Sequence, residues 1–185
     1  MGSTRILVAA VALGVAAALP ASAVAEERTC RGTLGNVTVD NLRVPRGATC
    51  TLNGTRVQGT VKVERAGSLN ARSVRVIGNV QAENARRVSV RRSRVGGSVQ
   101  VKQGGAARVK STLVTGDIQY DANRAFLSAA RNTVGGSIQV FQNTGGVNIT
   151  ANTVDGNLQC KENSPAPAGG GNVVQGNKED QCARL

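Results

Sequence analysis

A glycine returns at a fixed interval through most of this chain. Gly59, Gly78, Gly97, Gly116, Gly136, Gly156 and Gly176 are spaced by 19, 19, 19, 20, 20 and 20 residues. Each sits in one recurring phrase: Val57-Gln-Gly-Thr-Val-Lys-Val63, Val76-Ile-Gly-Asn-Val-Gln-Ala82, Val95-Gly-Gly-Ser-Val-Gln-Val101, Val114-Thr-Gly-Asp-Ile-Gln-Tyr120, Val134-Gly-Gly-Ser-Ile-Gln-Val140 and Val154-Asp-Gly-Asn-Leu-Gln-Cys160. A seventh copy, Val174-Gln-Gly-Asn-Lys-Glu-Asp180, has lost its apolar half. A looser phrase, Gly35-Asn-Val-Thr-Val39, begins 24 residues before Gly59. A period held in phase over six steps predicts stacked structural repeats, in which residues one period apart become neighbours in space.

Apolar residues fall two before, two after and four after each glycine, which predicts that they share one strand face. A second alternating pair lies nine and seven residues before it: Leu69 and Ala71, Val88 and Val90, Ala107 and Val109, Leu127 and Ala129, Val147 and Ile149. The expected fold is therefore all-β, a single-stranded parallel β-solenoid of about seven coils with two inward-facing strands per coil. At about 4.8 Å between coils, six steps make a rod roughly 30 Å long. Composition agrees, because a chain with no Trp, one Tyr and two Phe cannot fill a wide core. Small branched side chains can fill a thin axial stack. A leucine-rich repeat has a similar period, but it needs Leu at fixed places, an Asn in its strand phrase and a helical second half-coil.

The repeated phrase resembles right-handed parallel β-helix proteins in general and, in coil length and Gly-x-Val phrasing, the bactofilin-like polymer-forming solenoids. The likeness covers residues 55–160, is architectural, and points to no characterised functional family. Bactofilins are cytoplasmic filament formers joined end to end, so the resemblance implies a polymer-forming scaffold as one reading. This chain departs from them in its leader and in cysteines near both ends.

Residues 1–25 read as a secretory signal: Arg5, an apolar run from Ile6 to Leu19, a break at Pro20, and Ala-x-Ala sites that put cleavage after Ala23 or Ala25. The run is too short to cross a bilayer. The mature chain is then expected outside the cell, extracellular or wall-associated, with the Ala, Arg, Gly and Val bias of a GC-rich, actinobacterial-type genome. Residues 26–54 are expected as irregular coils and an N-terminal cap, 55–163 as the regular solenoid, and 164–185 as a C-terminal cap and tail. In that cap Lys178 and Asp180 fall at inward positions, and Pro165–Gly171 replaces a strand.

Export makes disulfides the default for Cys30, Cys50, Cys160 and Cys182. Partners need Cα atoms within about 7 Å, and the two ends are separated by most of the rod. Cys30–Cys50 and Cys160–Cys182 are thus the expected pairs. With no histidine in the chain and long cysteine spacings, no metal site or cofactor is expected.

Three repeated features are candidates for function. Lys62, Gln81, Gln100, Gln119, Gln139, Gln159 and Glu179 recur three residues after each glycine and predict a polar ladder. Asn132, Asn152 and Asn172 predict an internal turn ladder that satisfies buried backbone groups. The third feature is charge. Residues 56–131 carry 15 Lys and Arg against 4 acids, net +11, whereas residues 132–185 carry 3 against 4. Arg56, Arg75 and Arg94 share one repeated position, and Arg72, Arg91 and Lys110 another, with Arg92 and Arg108 beside them. Like charges on adjacent coils repel unless an anion or solvent offsets them. The expected function is that of a secreted, non-catalytic, monomeric structural or binding protein presenting this face to an anionic cell-wall or extracellular polymer. Specific nucleic-acid recognition is not expected, because no aromatics are interleaved with the charges.

A small polysaccharide lyase or hydrolase is the enzymatic alternative. Absence of histidine removes the usual general base. Asp117 and Asp121, about 13 Å apart along one strand, are too distant for a glycosidase pair. Glu64 and Glu83, on adjacent coils, are close enough, but no long loops flank them to build a cleft.

Overall fold

The structure is a computed structural model that describes residues 26–185. The signal segment, with both of its cleavage sites, lies outside the described residues. The chain winds as a parallel β-solenoid of about eight turns, with no helix among the described residues. Three sheets wall the rod. Sheet A has nine strands, from Glu27–Thr29 to Lys178–Asp180; sheet B has eight, from Gly32–Leu34 to Ala168–Gly170; sheet C has eight two-residue strands, from Thr38–Val39 to Val173–Val174. One turn is typical: Val80–Glu83 in A, Arg87–Arg91 in B and Arg94–Val95 in C. Every strand pairs in parallel with its counterpart one turn away, 14 or 18 residues on in the first turn and 19 or 20 thereafter, for example Val80 with Val99 and Val88 with Ala107, so like positions stack.

The expected seven coils become about eight because the first turns lack the glycine phrase yet pair like the rest. Thr38–Val39 lies in sheet C against Arg56–Val57. Asp40, rather than Gly35, therefore occupies the anchor place one turn before Gly59, and its carbonyl accepts the Gly59 N–H at 2.7 Å. The glycine phrase is also not one strand. The chain bends at each glycine, so Val76 belongs to sheet C while Val80 and Ala82 belong to sheet A. All three still face inward and are buried. Each turn thus has three walls where the alternation alone suggested two.

The bend explains the glycine. Each anchor N–H donates to the carbonyl of the anchor before it, at 2.9 Å for Gly78 to Gly59 and 2.9 Å for Gly156 to Gly136. A Cβ on Gly78 would lie 2.8 Å from the Gly59 carbonyl oxygen, and one on Gly156 2.8 Å from that of Gly136. The requirement is steric. The next residue is short and polar for a related reason: Asn41, Thr60, Asn79, Ser98, Asp117, Ser137 and Asn157 each accept the N–H of the equivalent residue one turn on. These bonds hold the corner where sheet ladders are interrupted.

At the other two corners one residue takes a left-handed conformation, such as Asn84 (φ 53°), Arg92 (φ 51°) and Arg131 (φ 55°). The residue after it is buried. Along one corner these are Asn123, Asn143 and Asn163, and along the other Asn132, Asn152 and Asn172. The second stack is the expected internal ladder. The first was not read from the sequence, although it repeats with the same period. In both, the amide N–H2 bonds a backbone carbonyl of the preceding turn and the carbonyl oxygen of the next Asn, as Asn132 does with Val109 and Asn152 at 2.9 Å each.

The core is a column of Val, Leu, Ile and Ala with Tyr120 at its largest point. The Tyr120 hydroxyl donates to the Ser128 carbonyl at 3.0 Å, and burial pushes its pKa up.

Both cysteine pairs form as expected, with Cα–Cα distances of 5.6 Å for Cys30–Cys50 and 5.2 Å for Cys160–Cys182. At the C-terminal end, Lys178 and Asp180 pair in register with Leu158 and Cys160 but are exposed, because no further turn stacks on them. Ala168–Gly170, within the stretch expected to replace a strand, is itself a strand of sheet B against Asn148–Thr150. Gln181 ends one asparagine ladder, its carbonyl oxygen accepting from the Asn163 N–H at 2.9 Å and amide at 3.0 Å. Cys182 is fully buried and Leu185 packs on the core. The Cys160–Cys182 pair spans 22 residues. Its loss, as Cys160→Ser with Cys182→Ser, is expected to lower unfolding free energy by about 3 kcal/mol in denaturant titration, through the freed loop entropy of the unfolded chain.

Candidate functional site

The repeat places the basic residues on one edge of the rod. Sheet B ends, in successive turns, at Arg72, Arg91 and Lys110, which are register partners. Sheet C begins three residues later at Arg75 and Arg94, with Arg56 one turn earlier, again as register partners. The two columns therefore flank one corner. Arg92 sits on it in the left-handed conformation, which turns its side chain outward while the following Ser93 is buried.

The structure brings only part of the expected set together. Arg72, Arg91, Arg92 and Lys110 line a depression of about 180 Å³ with Ser111 and Arg131. Arg56, Arg75 and Arg94 are exposed on the sheet C side of the corner and do not line it. Arg108 lies on the open face of sheet B, between Ser89 and Ser128. Arg131 was missed because it belongs to the corner column of Ser73, Arg92 and Ser111; its place two periods after Arg92 was the available signal.

None of these cations has an acidic partner among the described residues. Among the described residues the ion pairs belong to Arg43, with Glu27 at 2.9 Å and Glu64 at 3.3 Å, near the N-terminal end. Parallel strands hold Arg72, Arg91 and Lys110 at about 4.8 Å per turn, so the corner is a row of like charges with no neutralising carboxylate. In water such repulsion is modest per pair, but it adds along a column and creates a strongly positive local potential.

The other candidates have structural occupations. The glutamine ladder is formed, from Gln81 to Gln100 at 3.4 Å through Gln119, Gln139 and Gln159 to the Glu179 carboxylate at 2.8 Å. These amides spend donors and acceptors on one another. Asp117 accepts the Ser137 N–H at 2.7 Å. Glu64 and Glu83 line a shallow depression of about 560 Å³ on sheet A with Lys62, Lys102, Gln81 and Gln100. Glu64 accepts from the Arg43 guanidinium at 3.3 Å and the Arg46 N–H at 3.1 Å, and the guanidinium hydrogen bond in particular holds its carboxyl below the usual range. A glycosidase acid needs the opposite shift.

No group of three or more metal-ligating side chains occurs among the described residues, and no helix there is long and apolar enough to cross a membrane. No family model, curated protein or solved structure matches the chain. What the fold and surface define is a class: a disulfide-closed parallel β-solenoid with one uncompensated basic edge.

Proposed function

We propose that this protein is an exported, non-catalytic rod whose basic edge binds an anionic polymer of the cell wall or its surroundings. The carrying observation is the row of Arg72, Arg91, Arg92, Lys110 and Arg131 with no carboxylate partner among them. Holding these cations in one row opposes folding slightly, and a bound polyanion removes that cost while gaining several simultaneous contacts. A rigid scaffold favours this use, because parallel pairing fixes the charges before the ligand arrives and little ordering entropy remains to be lost. Two disulfides suit an extracellular setting, and the leader in residues 1–25 supports export.

The test is retention of residues 26–185 on immobilised wall teichoic acid, polygalacturonate and inorganic polyphosphate at physiological salt. Binding to at least one of them is expected, weakening as salt rises. Changing Arg72, Arg91, Arg92 and Lys110 together to Gln is expected to lower affinity about 100-fold, at somewhat under 1 kcal/mol per exposed contact. No retention on any of the three, or retention indifferent to the fourfold change, overturns the proposal.

A further inference from the structure

The outer face of sheet B is a trough. Its central column is polar and short except at Arg108, running Thr51, Asn70, Ser89, Arg108, Ser128, Asn148 in register. On one side it is flanked by Arg87, between Ser68 and Ala106, and on the other by Arg72, Arg91 and Lys110. Three depressions along this face, of about 530, 310 and 290 Å³, run into one another: the first two share Asn70, Arg87 and Ala106, and the second and third share Arg108. The corner depression opens into the same run through Arg91, Lys110 and Arg131. The trough extends from the turn of Thr49 to that of Thr150, five steps or roughly 24 Å along the rod. No Asp or Glu lines any part of it.

One residue in this trough is out of keeping with a purely electrostatic surface. Phe126, 52% exposed, lines the middle depression beside Arg87, Arg91, Arg108, Asn70 and Ser89. Its ring lies over Gly146 of the next turn, where a Cβ would stand 3.8 Å from it, at ordinary van der Waals distance. It immediately precedes the strand Leu127–Ala130, whose first residue is fully buried, while Phe126 itself faces outward.

We infer that this trough is a binding site for a linear acidic polysaccharide lying parallel to the rod axis, with Phe126 as its stacking platform. The inference rests on the polyanion-binding reading above and narrows it to one chemistry. A pyranose presents an apolar C–H face, which an exposed aromatic ring covers. Its carboxylate or sulfate groups match the planar forks of Arg87, Arg91 and Arg108, and its hydroxyls match the amide of Asn70 and the hydroxyl of Ser89. A phosphate polymer would use the arginines and leave Phe126 and the central polar column without a role. A single-stranded nucleic acid would call for successive aromatic platforms, and this face has one.

Affinities of residues 26–185 for polygalacturonate and dextran sulfate, which separate carboxylate from sulfate, are measured by titration calorimetry beside inorganic polyphosphate. Phe126→Ala is expected to weaken binding to at least one polysaccharide about tenfold and leave polyphosphate within twofold, whereas Phe126→Tyr keeps both. Arg87→Gln with Arg108→Gln weakens all three. Circular dichroism of each variant checks the fold, which an exposed position should leave intact. The inference is overturned if Phe126→Ala leaves both polysaccharides unchanged, if it weakens polyphosphate equally, or if polyphosphate binds and neither polysaccharide does; in each case polyanion binding itself still stands. Failure of every polyanion to bind removes both readings.

Discussion

Asn143→Leu is expected to lower the unfolding free energy by about 4 kcal/mol in chemical denaturation. Asn143 is fully buried and ties three turns together. Its oxygen accepts the Asn123 N–H at 2.9 Å and the Asn123 amide at 3.0 Å, while its own amide donates to the Tyr120 carbonyl at 3.0 Å and to Asn163 Oδ1 at 2.9 Å. Leucine has similar bulk and none of these bonds. It leaves a buried N–H and a buried carbonyl with no partner on neighbouring turns, at about 1–3 kcal/mol for each such group. The chain contains its own weaker solution. At the other corner the stack passes through Ser93 and Thr112, whose hydroxyls bond the carbonyl two residues back in their own turn and accept one N–H from the turn before. Asn143→Ser is therefore expected to recover part of the loss, and equal losses for Leu and Ser would show that the hydrogen bonds are not what matters there.

Gly156→Val is the second large effect, again roughly 4 kcal/mol, from overpacking against backbone that cannot move without opening two turns. A Cβ on Gly156 would meet Ser137 Oγ at 2.5 Å, the Gly136 oxygen at 2.8 Å and the Gly136 carbonyl carbon at 2.9 Å. Gly47→Ala is the informative comparison. Gly47 has φ +70° and open space where its Cβ would go. Only the left-handed backbone penalty of about 1 kcal/mol applies. Six non-glycine residues at equivalent corners, from Ala66 to Glu162, already bear that penalty. If the two substitutions destabilise equally in thermal melts, the anchor glycines are conformational rather than steric.

The period was readable because stacking writes itself into the sequence: any residue that must fit against its copy one turn away is constrained in the same way at each turn. Gly78 and Gly156, the inward Val76 and Val80, and the Gln81–Gln159 column carry that constraint, and each stands where the spacing put it. The bend at each glycine was not readable, because residues two before and two after it keep the same inward parity whether the chain runs straight or turns. The first two turns were also obscured. They keep the pairing but not the phrase, with Asp40 and Asn41 in place of Gly and its short neighbour.

The candidate site divides along the same line. That Arg72, Arg91 and Lys110 form one column, and Arg56, Arg75 and Arg94 another, follows from counting. That the first column looks into a trough while the second stands outside it depends on where the corner falls between them, and a corner has no spacing of its own to count. The same holds for Arg131 and Phe126. One turns outward on a left-handed corner and the other lies over a glycine of the following turn.

By itself, then, the sequence determined which residues stack, through a repeat that every turn must obey to pair with the next. Only the tertiary structure decided which stacked columns share a concave surface, because concavity depends on the angles between the three sheets and on the size of side chains from neighbouring columns. Neither quantity is periodic along the chain.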